Sequence, residues 1–216
     1  MRQVASQSNC RTQIRVLTVD DHPILREGIA AVIALQSDMV IVGEATNGSE
    51  AIKMYRTLRP DITLMDLRLP EINGIDATRA ICQDYPHAKI IALTVHKGDV
   101  QVGRAFKAGA SSYLLKSMLR KDLLHTIRLV YAGNRYIPPE VAADLAVHAF
   151  DEMLTNREIE ILREVAGGAA NKIVAARLQI SEDTVKKHMK NILSKLSATD
   201  RTHATMIAVK RGFLEV

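Results

Sequence analysis

Residues 14–23 read IRVLTVDDHP. From Ile14 to Val19 the run is apolar or β-branched apart from Arg15, and two adjacent carboxylates and a proline then end it. An apolar run with so little polar alternation is the mark of a strand buried on both faces, as in a parallel sheet. Pro23 suits the first turn of a helix, and Ile24–Leu35 continues with helical spacing. The same plan recurs along the chain. Further apolar runs lie at Met39–Val42, Ile62–Met65, Lys89–Leu93 and Tyr113–Leu115. Between and after them come helical stretches: Glu50–Leu58, Gly74–Cys82 behind the capping Asn73, Val100–Lys107 ahead of Gly109, and Leu119–Tyr131 ahead of Gly133. Five strand–helix units in series predict a doubly wound α/β domain with a five-stranded parallel sheet over residues 13–133.

The rest of the chain is organised differently. Residues 1–12 are polar and aperiodic and read as a disordered tail. Residues 134–150 contain Pro138-Pro139 and read as a linker with a helical half. From Leu154 the period is helical throughout. Thr155 and Glu158 have the spacing of a capping box, Gly167-Gly168 ends the first helix, and Asn171–Leu178 forms a short second one. Gln179-Ile180 makes a tight turn. Ser181 caps a third helix to about Leu196, and Asp200 caps a fourth to about Lys210. This predicts a small all-α, four-helix domain of the helix-turn-helix kind over 151–216.

Composition fits two small domains in 216 residues, with 47% hydrophobic and 25% charged residues. Wholesale disorder, a collagen repeat and a disulfide scaffold are excluded, the last because the chain has two cysteines. The sequence holds no apolar run near 18 residues, and its first residues lack the apolar core of a secretory signal, so the expected setting is the cytoplasm with no membrane contact. The net charge is +5 and the pI about 9.3. Residues 165–214 carry 9 Lys and Arg against 3 Asp and Glu. A basic excess in the helical domain points to nucleic acid.

Ligands of doubly wound sheets bind beyond the carboxyl ends of the strands. Those ends carry Asp20-Asp21, Asp66, Thr94 and Lys116. Converging carboxylates repel one another and call for a hard cation with oxygen ligands, for which Mg²⁺ is suited. A metal and a lysine side by side stabilise the charge of a transferring phosphoryl group, and an aspartate can be its acceptor. Taken singly, each residue has an ordinary use: a helix cap, a solvated lysine, a β-branched strand residue.

Asp20-Asp21-His22-Pro23, Met65-Asp66-Leu67-Arg68-Leu69-Pro70 with Gly74, Ala92-Leu93-Thr94, and Gly109-Ala110 running to Leu115-Lys116 together resemble the receiver domain of two-component response regulators, with its flavodoxin-like strand order. The resemblance implies that Asp66 is the phosphoacceptor and that Asp21, Asp20, Asp66 and the backbone carbonyl of Arg68 hold Mg²⁺. It implies that Thr94 and Lys116 contact the phosphoryl group and that Tyr113 is the aromatic switch residue. Arg68 and His96, two residues past Asp66 and Thr94, occupy positions that tune phosphoryl lifetime in such domains.

In the third helix of the C-terminal domain, Val185, Met189 and Ile192 recur on one face, which leaves Lys186, Lys187 and Lys190 off it. A recognition helix reads the major groove from its N-terminal half, and lysine reaches guanine or phosphate. Leu154-Thr155, Arg157-Glu158, Asn171-Lys172, Leu178, Ile180-Ser181, Thr184-Val185-Lys186, His188, Asn191-Ile192 and Lys195-Leu196 resemble the LuxR-type helix-turn-helix. Its order after a receiver is that of NarL/FixJ-type response regulators. The resemblance assigns Lys186, Lys187, Lys190, Thr184, Asn171, Lys172 and His188 to double-stranded DNA, the last helix to a homodimer contact, and a histidine kinase to the phosphodonor role. Ile173 stands where many relatives carry Glu.

The expected function is a phosphorylation-controlled transcription regulator, not an enzyme beyond its own phosphorylation and dephosphorylation. Two alternatives stand beside it. One keeps DNA binding with a receiver that is no phospho-switch. The other is a Mg²⁺-dependent phosphohydrolase, against which Arg68 counts, because such enzymes often place a second acid there.

Overall fold

The computed structural model describes residues 13–95, 98–148 and 151–214. The expected tail (1–12) and His96 lie outside the described residues. The chain divides into two compact units, Met1–Thr94 with Ala105–Tyr136, and Val95–Arg104 with Ile137–Val216.

The first unit holds a five-stranded parallel sheet formed by β1 (Ile14–Val19), β2 (Met39–Ala45), β3 (Ile62–Asp66), β4 (Ile90–Thr94) and β5 (Ser112–Leu115) in the order β2-β1-β3-β4-β5. The helices alternating with them along the chain are α1 (Pro23–Ala34), α2 (Gly48–Leu58), α3 (Gly74–Asp84), α4 (Asp99–Ala108), whose residues up to Arg104 belong to the second unit, and α5 (Leu119–Tyr131), the last preceded by a single 3-10 turn at Lys116–Met118. The doubly wound expectation is met.

Consecutive strand residues go to opposite faces. Val16, Leu64 and Ile91 pack with Ile29 and Ile33 of α1 and with Leu123 and Ile127 of α5. Their neighbours Leu17, Met65 and Ile90 pack with Ala51 and Tyr55 of α2 and Ala77 and Ile81 of α3. Helices on both faces are why the strands read as unbroken apolar runs.

Some boundaries differ from the reading of the sequence. β2 runs on to Ala45 rather than ending at Val42, since the ladder to β1 continues past a register shift at Val16/Leu17. Gly43 and Glu44 lack strand propensity, but a Cβ on Gly43 would crowd Leu58 and Leu17, so glycine is what lets α2 lie close over β2.

In the second unit the linker stretch contains α6 (Pro139–Val147), started by Pro139 at its first position with Glu140 in its first turn. The four C-terminal helices are α7 (Asn156–Ala166), α8 (Asn171–Arg177), α9 (Glu182–Lys195) and α10 (Arg201–Arg211). Thr155 and Glu158 form the reciprocal capping box. Gln179 takes φ 54 to make the tight α8–α9 turn, and Arg157 Nη2 donates to the Leu178 carbonyl at 2.8 Å, tying that turn to α7. The core joins Ile161, Leu162 and Val165 with Val174, Val185, Met189, Ile192, Ala204 and Ala208. Among the described residues, no helix is long and apolar enough to cross a membrane.

Candidate functional site

The strand order reverses between β1 and β3, and that is where the carboxylates meet. β1 delivers Asp20 and Asp21, and β3 ends at Asp66. The side chains of Asp20 and Asp66 are almost wholly buried, while that of Asp21 is 39% exposed. From the end of β5, Lys116 Nζ reaches Asp20 Oδ2 at 2.7 Å and Asp66 Oδ2 at 2.8 Å. One cation thus bridges the ends of the two central strands. Asp66 Oδ1 accepts the backbone N–H of Arg68 at 3.2 Å, while the Arg68 side chain stays exposed. Gly74 opens α3 directly under this loop, and a Cβ there would run into the Asp66 backbone carbonyl.

Burial raises the Asp66 carboxyl above its ordinary value, and the hydrogen bond from Lys116 offsets only part of that shift. Lys116 is itself pulled down by burial, but its bonds to Asp20 and Asp66 outweigh this and hold it above the usual lysine value. Thr94 ends β4 and is buried. It shares a hydrogen bond with Tyr113, whose ring is fully buried and whose hydroxyl is pushed up to about 12, chiefly by burial.

Asp20, Asp21, His22 and Asp66 each offer a ligand atom, and these atoms lie within 4.8 Å of one another. Three carboxylates facing one ammonium leave an excess of negative charge. The oxygen-rich donor set, with two carboxylates nearly closed off from solvent, fits a hard divalent cation.

The structure therefore brings Asp20, Asp21, Asp66 and Lys116 into one cluster and joins Thr94 to Tyr113. Two neighbours escaped the sequence reading as site residues. His22 Nδ1 lies 2.7 Å from Asp21 Oδ1 and 3.1 Å from Asp20 Oδ1. Arg26 Nη1 donates to the Asp20 carbonyl at 2.7 Å. The signal for Arg26 was its place one helical turn into α1, but its target is a backbone atom, to which no sequence pattern points.

The second candidate surface is on α9. Val185, Met189 and Ile192 face the core and Lys186, Lys187 and Lys190 are exposed, as the periodicity predicts. Lys186 is drawn to Asp183 at 3.3 Å and Glu182 at 3.5 Å on its own helix. Lys187 and Lys190 make no ion pair among the described residues. Thr184 is half-buried with its hydroxyl 2.8 Å from Ser181 Oγ at the helix cap. Lys172 is exposed on α8, Asn171 and His188 are half-buried, and Ile173 is 47% exposed.

Comparison with known proteins finds two families on separate stretches of the chain. Residues 16–128 match the response regulator receiver domain, and residues 152–208 match the bacterial regulatory proteins of the luxR family. The response regulator protein VraR of Staphylococcus aureus is 40% identical over 207 residues, covering 94% of this chain and 99% of that protein. The transcriptional regulatory protein DegU of Brevibacillus brevis is 33% identical over 227 residues, covering 94% and 96%. The crystal structure of the response regulator ChrA of a heme-sensing two-component system is 34% identical with a TM-score of 0.56, covering 94% of this chain and 99% of that one. With both modules in this order and relatives matched over nearly their whole length, the chain belongs to the response regulators that join a receiver domain to a LuxR-type helix-turn-helix domain.

Proposed function

We propose that this protein is a cytoplasmic transcription regulator switched by phosphorylation of Asp66. The observation that carries the reading is the Lys116 bridge between Asp20 and Asp66 at the carboxyl ends of β1, β3 and β5. Asp20, Asp21, Asp66 and the Arg68 carbonyl would hold Mg²⁺, which supplies charge neutralisation for the phosphoryl oxygens. In the transfer a carboxylate oxygen of Asp66 forms the new O–P bond, and the N–P bond of a phosphohistidine donor breaks with its electron pair returning to the imidazole. Lys116 then turns from Asp66 to a phosphoryl oxygen. Thr94 donates its hydroxyl to another, which frees Tyr113 from the bond the two now share. That exchange is the local event that biases the receiver surface. Beyond phosphorylating and dephosphorylating itself, the protein has no enzymatic role. Arg68, exposed beside Asp66, and His96 would set how long the phosphoryl group lasts.

The domain limits we propose are 13–133 for the receiver, 134–150 for the linker and 151–216 for the DNA-binding domain. A histidine kinase supplies the phosphoryl group. Two copies pair along α10, where Met206 is 66% exposed, and bind the half-sites of a promoter. Lys187 and Lys190 enter as free cations, Lys186 after leaving Glu182 and Asp183, and Thr184, Asn171, Lys172 and His188 contact the same DNA.

The test is a pair of titrations of a LuxR-type operator library at fixed salt, with wild type and Asp66→Ala both treated with acetyl phosphate and Mg²⁺. Phosphorylation and a gain in DNA affinity by wild type alone supports the reading. Equal binding by both with no response overturns the switch and leaves a DNA-binding protein with an inert receiver.

A further inference from the structure

Arg26 carries a full charge, yet its side chain is only 15% exposed. It belongs to neither apolar cluster of the sheet. Its Nη1 donates to the backbone carbonyl of Asp20 at 2.7 Å, while its Nε lies 3.4 Å from Glu44 Oε2 at the end of β2, an ion-pair contact with no hydrogen bond. The Asp20 carbonyl is the first acceptor beyond the β1 ladder, whose last pair is Val19 with Ala45 on one side and Val19 with Met65 on the other. It is also one edge of the peptide plane that joins Asp20 to Asp21. The other groups of Asp20 are fixed independently. Its N–H donates to the Ala45 carbonyl at 3.1 Å, Oδ1 accepts the His22 N–H at 2.9 Å, and Oδ2 meets Lys116.

We infer that Arg26 is a positioning residue for the metal site: by gripping the Asp20 carbonyl it sets the peptide plane that aims Asp21 relative to Asp20. The inference rests on the phosphoacceptor reading above. It has a consequence opposite in sign to simple electrostatics. A cation near three carboxylates weakens the binding of another cation, so removing its charge alone would tighten Mg²⁺ binding. Removing a grip on the ligand pair loosens it, and outer partners of metal ligands are typically worth about 10–100-fold in affinity. A residue that merely supports the fold would lower the melting temperature and leave Mg²⁺ affinity alone.

The experiment titrates Mg²⁺ alone into the full chain and follows backbone amide NMR shifts, with apo melting temperatures measured in parallel. Arg26→Gln is expected to weaken Mg²⁺ binding by about tenfold. Arg26→Lys, whose longer side chain carries a charged donor toward the carbonyl that the shorter glutamine amide does not span, is expected to regain most of the loss. Acetyl-phosphate labelling of Arg26→Gln should return to near the wild-type rate once Mg²⁺ is saturating, a change in the metal requirement rather than in the maximal rate. Unchanged or tighter Mg²⁺ binding by Arg26→Gln overturns the inference while leaving Asp66 as acceptor. Wild-type protein that binds no Mg²⁺ overturns the acceptor reading and this inference together. Should Arg26→Gln fail to fold, Arg26→Lys decides, since it keeps the charge and alters only the grip: Mg²⁺ binding measurably weaker than wild type supports the positioning role, and wild-type or tighter affinity refutes it.

Discussion

Among the described residues, Lys116 is the one lysine or arginine side chain paired with two buried carboxylates that come from different strands. Replacing it by Met preserves the aliphatic stem and leaves Asp20 and Asp66 facing each other without a cation. Removing one partner of a buried pair costs about 3–5 kcal/mol because a charge stays buried and uncompensated. Here the lower end applies, since one carboxylate can take a proton: burial already raises Asp66. Lys116→Met should therefore destabilise the metal-free first unit by about 3 kcal/mol at pH 7.5. With a urea m-value of about 2 kcal/mol/M, the midpoint falls by about 1.5 M.

The pH dependence has a definite sign. Asp66 is raised in both proteins, but the variant lacks the Lys116 bond that lowers it, so the variant's native state takes up a proton at a higher pH than wild type does, where the unfolded chain, with ordinary aspartates near 3.9, binds none. Its stability therefore rises as pH falls toward that value. The lysine of the wild type has a raised folded pKa, so its contribution is fully present below the unfolded lysine value and stays constant through pH 5–8. The gap between the two proteins should close as the pH is lowered from 7.5 to 5.5. The assay is urea unfolding in EDTA followed by tyrosine fluorescence. The chain has no tryptophan, and its five tyrosines, at positions 55, 85, 113, 131 and 136, all lie in the first unit, so the signal reports that unit alone. An unchanged midpoint at pH 7.5, or a gap that fails to narrow toward pH 5.5, refutes the account of Lys116 as the compensating charge.

Two further outcomes are expected. Gly74→Ala forces the β3–α3 loop away from the Asp66 carbonyl, so acetyl-phosphate labelling should slow by about 100-fold while DNA binding by the unphosphorylated protein is kept; labelling at the wild-type rate would show that the loop tolerates the shift. Burial raises the carboxyl of Glu158, but its bonds with Thr155 at 2.8 Å and with Lys195 at 2.9 Å outweigh this and hold it below its ordinary value, so its stabilisation is present above the unfolded value and lost as pH falls through the folded one. Glu158→Gln should speed amide exchange in α7 at pH 7 by the equivalent of about 2 kcal/mol and remove the loss that wild type shows as pH falls below the ordinary glutamate range, and identical exchange profiles would refute this.

What the sequence disclosed and what it withheld divide along a physical line. Strands buried on both faces announce themselves as apolar runs, because every residue of Ile62–Asp66 or Ile90–Thr94 is enclosed. The residue that ends each run then falls on the ligand rim without further argument, which is how Asp20, Asp66, Thr94 and Lys116 were legible as one set. Caps such as Asn47, Asn73, Thr155 and Ser181 are equally local, their side chains accepting from residues three positions on. β2 was cut short because its last residues are held by pairing with β1 and by the close approach of α2, both of which are tertiary facts. Arg26 was missed for a related reason. It binds a main-chain oxygen, which every residue has, and lies beside Glu44 of another strand, so neither neighbour is marked by residue type or spacing. Strand-end chemistry is written in the identity of side chains, whereas the support beneath it is written in backbone groups. A positioning residue of this kind becomes visible only when the question is which group satisfies the first carbonyl after the ladder ends.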